Sequence, residues 1–190
     1  MTLEGGPPTG RPPRRGLAQA GSVRDDGRRA VVGVMGGGTA DERVLEMAEE
    51  LGRLIAERGW VLLNGGRDAG VMAASAKGAD EAGGLVVGVL PGADRTGATP
   101  HLGVAIVTGL GMARNAVNVL SSDVVIALPG GAGTLSEIAL ARKAGRPLVL
   151  LGWAQAAAAT GPADLATDDP DEALEFAARR FCGADPSAPR

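Results

Sequence analysis

Residues 123–137 read Asp-Val-Val-Ile-Ala-Leu-Pro-Gly-Gly-Ala-Gly-Thr-Leu-Ser-Glu, and this stretch decides the fold. The continuous apolar run over 124–128 is typical of a strand buried on both faces of a sheet. The residues after the glycine-rich turn, up to 144, favour a helix that starts near Thr134. A glycine turn between a strand and a helix lets a ligand approach the backbone. The free N–H groups of the helix start favour an anion there, with phosphate the best candidate.

Apolar runs and helical segments alternate on both sides of this stretch. We predict a flexible tail rich in proline, glycine and arginine over 1–27, one folded ligand-binding domain over 28–183, and a C-terminal tail over 184–190. Within the domain we predict strands over 30–35, 60–63, 85–90, 104–107, 124–128 and 147–151, and further helices over 41–58, 69–82, 112–120 and 171–181. This order predicts an α/β fold, a doubly wound parallel sheet with helices on both faces.

The composition argues against several classes of function. A formal net charge of −3 and a pI of about 5.2 argue against general nucleic-acid binding, and the scarcity of aromatic residues argues against base stacking. Cys182 and His101 are the single cysteine and the single histidine, so neither an internal disulfide nor an ordinary metal site is expected. The N-terminus lacks the apolar segment of a secretory signal, and no apolar run reaches the roughly 20 residues that span a bilayer. A cytoplasmic location without membrane contact is therefore expected.

Three of the predicted strands end in glycine clusters. Each cluster alone is compatible with a tight turn, but parallel strands would bring all three to one edge of the sheet. Together they favour a backbone cradle for a phosphorylated small molecule. The residues that we expect to form it are Gly36, Gly37, Gly38, Gly65, Gly66, Pro129, Gly130, Gly131 and Gly133.

This cradle does not match the known dinucleotide or P-loop patterns. Asp41 stands where a G-x-G-x-x-G motif needs its third glycine, and Asn64 ends the second strand where an acidic residue would hold a ribose. No glycine is followed by Lys-Ser or Lys-Thr, as a P-loop requires. NAD binding and ATP hydrolysis are therefore not expected.

Thr134 and Glu137 allow two interpretations. Thr-x-x-Glu is the pattern of a capping box, in which the glutamate accepts a hydrogen bond from the N-cap N–H. The same spacing places a carboxylate one turn from a phosphate-sized hole, where it could serve acid–base chemistry. Both interpretations stay open for Glu137, whereas for Thr39 and Glu42 at the first helix we predict a capping box alone.

Arg67 and Arg114 each stand at the start of a predicted helix. A cation at the positive end of a helix dipole is mildly unfavourable, so a bound anion is a candidate for what holds each arginine there. His101 lies in a predicted loop, and we expect it to be a loop residue rather than a catalyst.

The run Pro129-Gly130-Gly131-x-Gly133-Thr134-x-x-Glu137 resembles the signature of the LOG ("Lonely guy") superfamily, often labelled "possible lysine decarboxylase". The segments 65–72 and 112–115 strengthen the resemblance, which runs from about Val31 to Gly152. Arg114 is followed by asparagine where LOG enzymes tend to have Arg-Lys, and Arg67 replaces a glycine. Both departures are more similar to the branch that contains the molybdenum cofactor carrier protein.

The resemblance implies a Rossmann-like fold and usually a homodimer. LOG enzymes cleave the N-glycosidic bond of cytokinin nucleoside 5′-monophosphates. The residues matching Arg114 and Glu137 are catalytic in them, and those matching Thr134 and its neighbouring glycines bind phosphate. In this chain Arg67 is a further candidate for ligand contact.

Our main hypothesis is a carrier-like protein that binds a nucleotide or the molybdenum cofactor and requires no other cofactor. The alternative is a nucleoside 5′-monophosphate phosphoribohydrolase. A third hypothesis, an adaptor that senses a nucleotide, rests on the proline-rich tail alone. Lysine decarboxylation is rejected, because neither Lys77 nor Lys143 lies in a recognisable pyridoxal-phosphate setting.

Overall fold

The computed structural model describes residues 27–182, so the predicted tails lie outside the described residues apart from Gly27. Seven parallel strands form one sheet in the order β4-β3-β2-β1-β5-β6-β7. The strands are β1 (Val31–Met35), β2 (Val61–Asn64), β3 (Leu85–Leu90), β4 (Val104–Val107), β5 (Val124–Ala127), β6 (Leu148–Leu151) and β7 (Leu165–Thr167). The helices are α1 (Glu42–Glu57), α2 (Gly70–Glu81), α3 (Arg114–Leu120), α4 (Ala132–Lys143), α5 (Ala157–Thr160) and α6 (Pro170–Cys182).

The predicted doubly wound α/β fold is confirmed, and each predicted strand and helix is present within two residues of its expected ends. A short 3-10 turn at Gly111–Ala113 leads directly into α3. Strand β7 and helix α5 were not predicted from the sequence; they span three and four residues. Such short segments carry too few residues for a periodic pattern.

Helices cover both faces of the sheet, because its strands are apolar on both sides. In β1, Val32 and Val34 pack into a core cluster with α1, α2 and α6, and Val31 and Met35 face a second cluster with α3 and α4. The strands therefore form the middle layer of three. Their continuous apolar runs, rather than alternating ones, follow from this double burial.

The strand order reverses between β1 and β5. From β1 the chain continues outward through β2 and β3 to β4, whereas β5, on the other side of β1, leads outward to β6 and β7. Connections that leave in opposite directions open a crevice at the carboxyl ends of the two strands, where ligands of such sheets bind. The three glycine clusters follow β1, β2 and β5, which are neighbours in the sheet.

Helix α1 begins differently from the prediction. Asp41 is its N-cap, and the carboxylate accepts a hydrogen bond from the Val44 N–H at 2.9 Å. The capping box predicted for Thr39 and Glu42 is therefore wrong, because the aspartate next to the helix already satisfies the free N–H group.

Helices α1 and α2 pack closely through two glycines, Gly52 and Gly78. A Cβ atom at Gly52 would overlap the Ser75 carbonyl oxygen, and one at Gly78 would overlap the Glu49 carbonyl oxygen. At its start, α2 is held by the Val71 N–H, which donates to the Gly37 carbonyl oxygen at 3.0 Å. The helix pair therefore helps to fix the turn after β1.

Replacing Gly78 by alanine should lower the free energy of unfolding by about 1–3 kcal/mol, because the new methyl group forces two helix backbones apart. Gly133→Ala is the matched control, since Gly133 is also helical but has open space where its Cβ would stand. The control should be neutral or gain up to about 1 kcal/mol. Urea unfolding followed by circular dichroism measures both, and equal effects would contradict the close packing.

Candidate functional site

A cavity of about 240 Å³ lies at the carboxyl ends of β1, β2 and β5. Most of the residues that the sequence analysis singled out line it: Gly36, Gly37, Gly38, Gly65, Arg114, Gly131, Gly133, Thr134 and Glu137. The lining also includes Asn115, which the sequence pointed out as a departure from LOG enzymes but not as a site residue, and three residues that were not predicted: Val34, Met35 and Met72. The cavity therefore stands at the point where the strand order reverses.

The remaining candidates, Gly66, Arg67, Pro129 and Gly130, do not line this cavity. Pro129 contributes a carbonyl oxygen that accepts a hydrogen bond from the Gly37 N–H at 3.0 Å. Gly66 has a φ of +72°, and its N–H donates to Asn64 Oδ1 at 2.8 Å. These contacts shape the turns that form the wall. Direct binding of a ligand by these residues stays a prediction.

Arg67 lies outside the cavity on an exposed turn, where its backbone forms an isolated antiparallel bridge with Ala98. It nevertheless acts on the site, because its positive charge contributes to lowering the pKa of Arg114. Two guanidinium groups that repel each other near a cavity form a favourable environment for an anion.

Helix α4 opens onto the cavity without a side-chain cap. Gly131 is its N-cap, and no described side chain bonds the free N–H groups there. Of the two interpretations left open for Thr134 and Glu137, the capping box is therefore excluded, because the helix begins at Ala132. Thr134 consequently lies in the first turn, and Glu137 lies on the buried side of the second. Uncapped amides at the positive end of a 12-residue helix attract anions.

Arg114 and Glu137 form a buried ion pair in the cavity wall. Arg114 is the first residue of α3, and its Nη1 lies 3.3 Å from Glu137 Oε1. Only 12% of the arginine side chain and 7% of the glutamate side chain are exposed. Asn118, one turn further along α3, donates its Nδ2–H to the same Oε1 at 2.9 Å. No described residue donates to Oε2, so this oxygen is the one available to a molecule in the cavity.

Burial acts on both members of the pair. It raises the pKa of the Glu137 carboxyl above its ordinary value, and the Asn118 hydrogen bond and the Arg114 charge oppose that rise. Burial also lowers the pKa of Arg114, against the attraction of the Glu137 carboxylate. The site therefore holds a carboxylate that takes up a proton more readily than an exposed one.

Three asparagines that the sequence analysis did not select support the site. Asn115 donates to Ser136 Oγ at 2.9 Å and ties α3 to the first turns of α4. Asn64 is fully buried and donates to the Met72 carbonyl oxygen at 2.9 Å, which fixes the turn from β2 to α2. Asn118 contacts Glu137 directly. An amide at the end of an otherwise apolar strand is the signal that would have identified Asn64. Asn115 and Asn118 lie on a helix with other polar residues and carry no such signal.

Other chemistry is sparse in residues 27–182. In that range no three His, Cys, Asp or Glu side chains come together as a metal site would require. None of the described helices combines the length and the apolar character that a membrane span needs. His101 lies in a turn, with Nδ1 at 3.1 Å from Asp80 Oδ2, and it does not line the cavity.

Known proteins are similar to this chain in sequence and in structure. The family model described as the SLOG cluster4 family matches residues 29–173. The structure is similar to that of the molybdenum cofactor binding protein from the phototrophic bacterium Rippkaea orientalis, with a TM-score of 0.74 and 44% identity, covering 79% of this chain and 96% of that one. It is also similar to the Moco carrier protein from Chlamydomonas reinhardtii, with a TM-score of 0.72 and 43% identity, covering 80% of this chain and 98% of that one.

A third relative is named as an enzyme. The cytokinin riboside 5′-monophosphate phosphoribohydrolase of Mycobacterium tuberculosis is 41% identical over 97 residues, which cover 50% of this chain and 52% of that protein. The chain thus spans about half the length of this relative. The resemblance to the LOG superfamily and to its carrier-like branch is confirmed by these matches.

The raised pKa of Glu137 predicts how stability depends on pH. Between the ordinary value of 4.5 and the higher pKa of the folded state, the folded protein holds more protons than the unfolded chain. The contribution of Glu137 to stability is therefore lost as the pH rises through that window. In Glu137→Gln this loss is absent. The difference between the free energies of unfolding of the variant and the parent should therefore shift in favour of the variant as the pH rises.

Urea unfolding of both proteins from about pH 4.5 to pH 8 measures this difference. A difference that stays constant over the range would show that Glu137 keeps an ordinary pKa in the fold.

Proposed function

The chain belongs to the SLOG cluster4 family, and we propose that it binds and carries a phosphorylated small molecule of the molybdenum-cofactor type. The observation that carries this proposal is the single cavity that joins the uncapped start of α4, the glycine turns and the buried Arg114. Backbone amides and a guanidinium are the donors that proteins use for phosphate. The similarity to two cofactor-binding proteins supports the choice of ligand class.

The size of the cavity fits one end of such a ligand. Its volume of about 240 Å³ is smaller than the roughly 300–1,000 Å³ of pockets that enclose a whole small molecule. We propose that the phosphate and its adjoining group enter the cavity, while the rest of the ligand lies at the mouth near Arg67. The protein needs no further cofactor for this task.

A second function is favoured by one specific observation, the free Oε2 of Glu137 beside Arg114. A carboxylate in this position can activate water or stabilise the positive charge that develops on a ribosyl centre. Arg114 can hold the phosphate of the same nucleotide. These two roles support a nucleoside 5′-monophosphate phosphoribohydrolase as the alternative, in agreement with the named activity of the Mycobacterium tuberculosis relative.

We further propose that the protein is a homodimer and works in the cytoplasm. Leu110, Met112 and Leu120 are 52%, 76% and 57% exposed on the segment that carries Arg114, and a second copy would cover such apolar side chains. A phosphorylated ligand is charged and stays in the compartment where it is made, because a bilayer excludes it. Light scattering of the purified protein tests the dimer, and cell fractionation tests the location.

Arg114→Gln should weaken the binding of a phosphorylated ligand at least tenfold, because a hydrogen bond to a charged group contributes about 1.5–3 kcal/mol. Arg142→Gln is the matched control: Arg142 donates to the Pro162 carbonyl oxygen and does not line the cavity. Native mass spectrometry of protein purified from a cofactor-producing host should show a retained phosphorylated mass in the parent and in the control. Calorimetry with inorganic phosphate then compares affinities.

If the parent protein retains no phosphorylated mass and calorimetry detects no phosphate binding, the carrier proposal is wrong.

The hydrolase alternative predicts free base when purified protein is incubated with AMP or N6-modified AMP. Glu137→Gln should slow this release by about 10²–10⁴-fold, the usual contribution of a positioned acid–base group. Chromatography of the free base measures the rate. If the variant releases the base as fast as the parent, Glu137 has no role in the mechanism. If the parent releases no base, the hydrolase alternative is wrong.

A further inference from the structure

Asn118 does not line the cavity but contacts Glu137 in its wall, and the functions above make no use of it. Its side chain is fully buried on α3, and its Nδ2–H donates to Glu137 Oε1 at 2.9 Å. Its Oδ1 is buried and has no hydrogen-bond partner in the part of the chain that the structure describes. A buried acceptor without a donor is unfavourable for folding. An apolar residue at this position would leave no acceptor unpaired.

The Asn118 hydrogen bond is the closest contact that the Glu137 carboxylate makes. Arg114 reaches the same Oε1 only at 3.3 Å and through a single nitrogen, and its Nε is buried without a described partner. The guanidinium therefore does not form the bidentate pair of hydrogen bonds with the carboxylate that makes arginine contacts strong. A neutral amide, rather than the cation alone, fixes which oxygen of Glu137 faces the protein and which faces the cavity.

We propose that Asn118 is a positioning residue that keeps Glu137 ionised and turns its Oε2 into the cavity. The charged groups around the carboxylate are Arg114 on α3 and, beyond it, Arg67 after β2. The β1 residues that line the cavity with it, Val34 and Met35, carry no charge. Burial favours the neutral form of this carboxyl, and the Asn118 N–H opposes burial, because hydrogen bonds to the charged form favour it.

This assignment has opposite consequences for binding and for turnover. An ionised Glu137 neutralises Arg114 and repels an anion in the same cavity, so it weakens phosphate binding. The same ionised carboxylate is the form that can act as a base. Removing the Asn118 donor should therefore strengthen phosphate binding and slow any base-dependent step, whereas mere damage to the fold would weaken both.

Two variants with the branching of asparagine remove the donor: the larger Asn118→Leu and the isosteric Asn118→Asp. In protein labelled with ¹³C-glutamate, the carboxyl resonance of Glu137 is assigned by its loss in Glu137→Gln and is followed through a pH titration. Both variants should raise the pKa of Glu137, leucine by removing the N–H and aspartate by adding a like charge. We expect about a tenfold gain in proton affinity, which equals one pKa unit. Asn118→Gln restores an amide and should move the pKa back towards the parent value.

Arg142→Gln is the control for the titration. Arg142 is on α4, as Glu137 is, but it donates to the Pro162 carbonyl oxygen and does not line the cavity, so its replacement should leave the pKa of Glu137 unchanged. Calorimetry with inorganic phosphate should show several-fold tighter binding by Asn118→Leu than by the parent. The second variant keeps the test valid if leucine prevents folding.

A Glu137 pKa that is the same in the parent, Asn118→Leu and Asn118→Asp would overturn the proposal. The titration is done without ligand, so its result does not depend on the proposed function. Only the role given to Oε2 rests on the proposed function. Failure to retain a phosphorylated ligand would count against the carrier and leave the titration result intact. An unchanged pKa of Glu137 together with normal ligand retention would contradict the role proposed for Asn118 and leave the carrier proposal standing.

Discussion

The hydrogen bond from the Gly37 N–H to the Pro129 carbonyl oxygen, 3.0 Å long, joins two turns across the point where the strand order reverses. It can form because the two turns approach each other at Gly37 and Gly130, which lack side chains: a Cβ at Gly37 would stand 3.2 Å from the Gly130 Cα. This contact holds the turn before α4 against the turn after β1. The start of α4 in turn directs its free amides at the cavity and places Glu137 one turn deeper, against α3.

Most strands of the sheet could be predicted because the sequence pattern that forms each of them lies within the strand itself. A strand buried on both faces needs a continuous apolar run, and 124–128 or 85–90 meet that condition without help from distant residues. The edge strand β7 could not be predicted in this way. Its three residues, Leu165–Thr167, stand between aspartates and pair only with β6, so tertiary pairing rather than sequence pattern makes them a strand.

The site was predictable as a set of glycines and charges but not in its hydrogen bonds. Thr134 and Glu137 have the spacing of a capping box, yet the turn at Gly131 starts α4 earlier and turns the glutamate inward. Asn118 resembles a surface residue in sequence, and only the packing of α3 on α4 reveals that it faces a carboxylate. Contacts between helices that are distant in sequence leave no local pattern, so residues of this kind need the three-dimensional structure.

The buried pair of Arg114 and Glu137 limits which ligands the cavity favours. In a site that only stored an anion, the arginine would strengthen anion binding and the carboxylate would weaken it, because the carboxylate neutralises the cation and repels the anion. The free Oε2 is an acceptor only, so it favours a hydroxyl or amino group of the ligand. We therefore expect the ligand to carry a phosphate for the α4 amides and, within the length of a small cavity, a hydrogen-bond donor for Glu137. Phosphorylated pterins and phosphorylated ribosides both join such groups, so the site geometry is compatible with either.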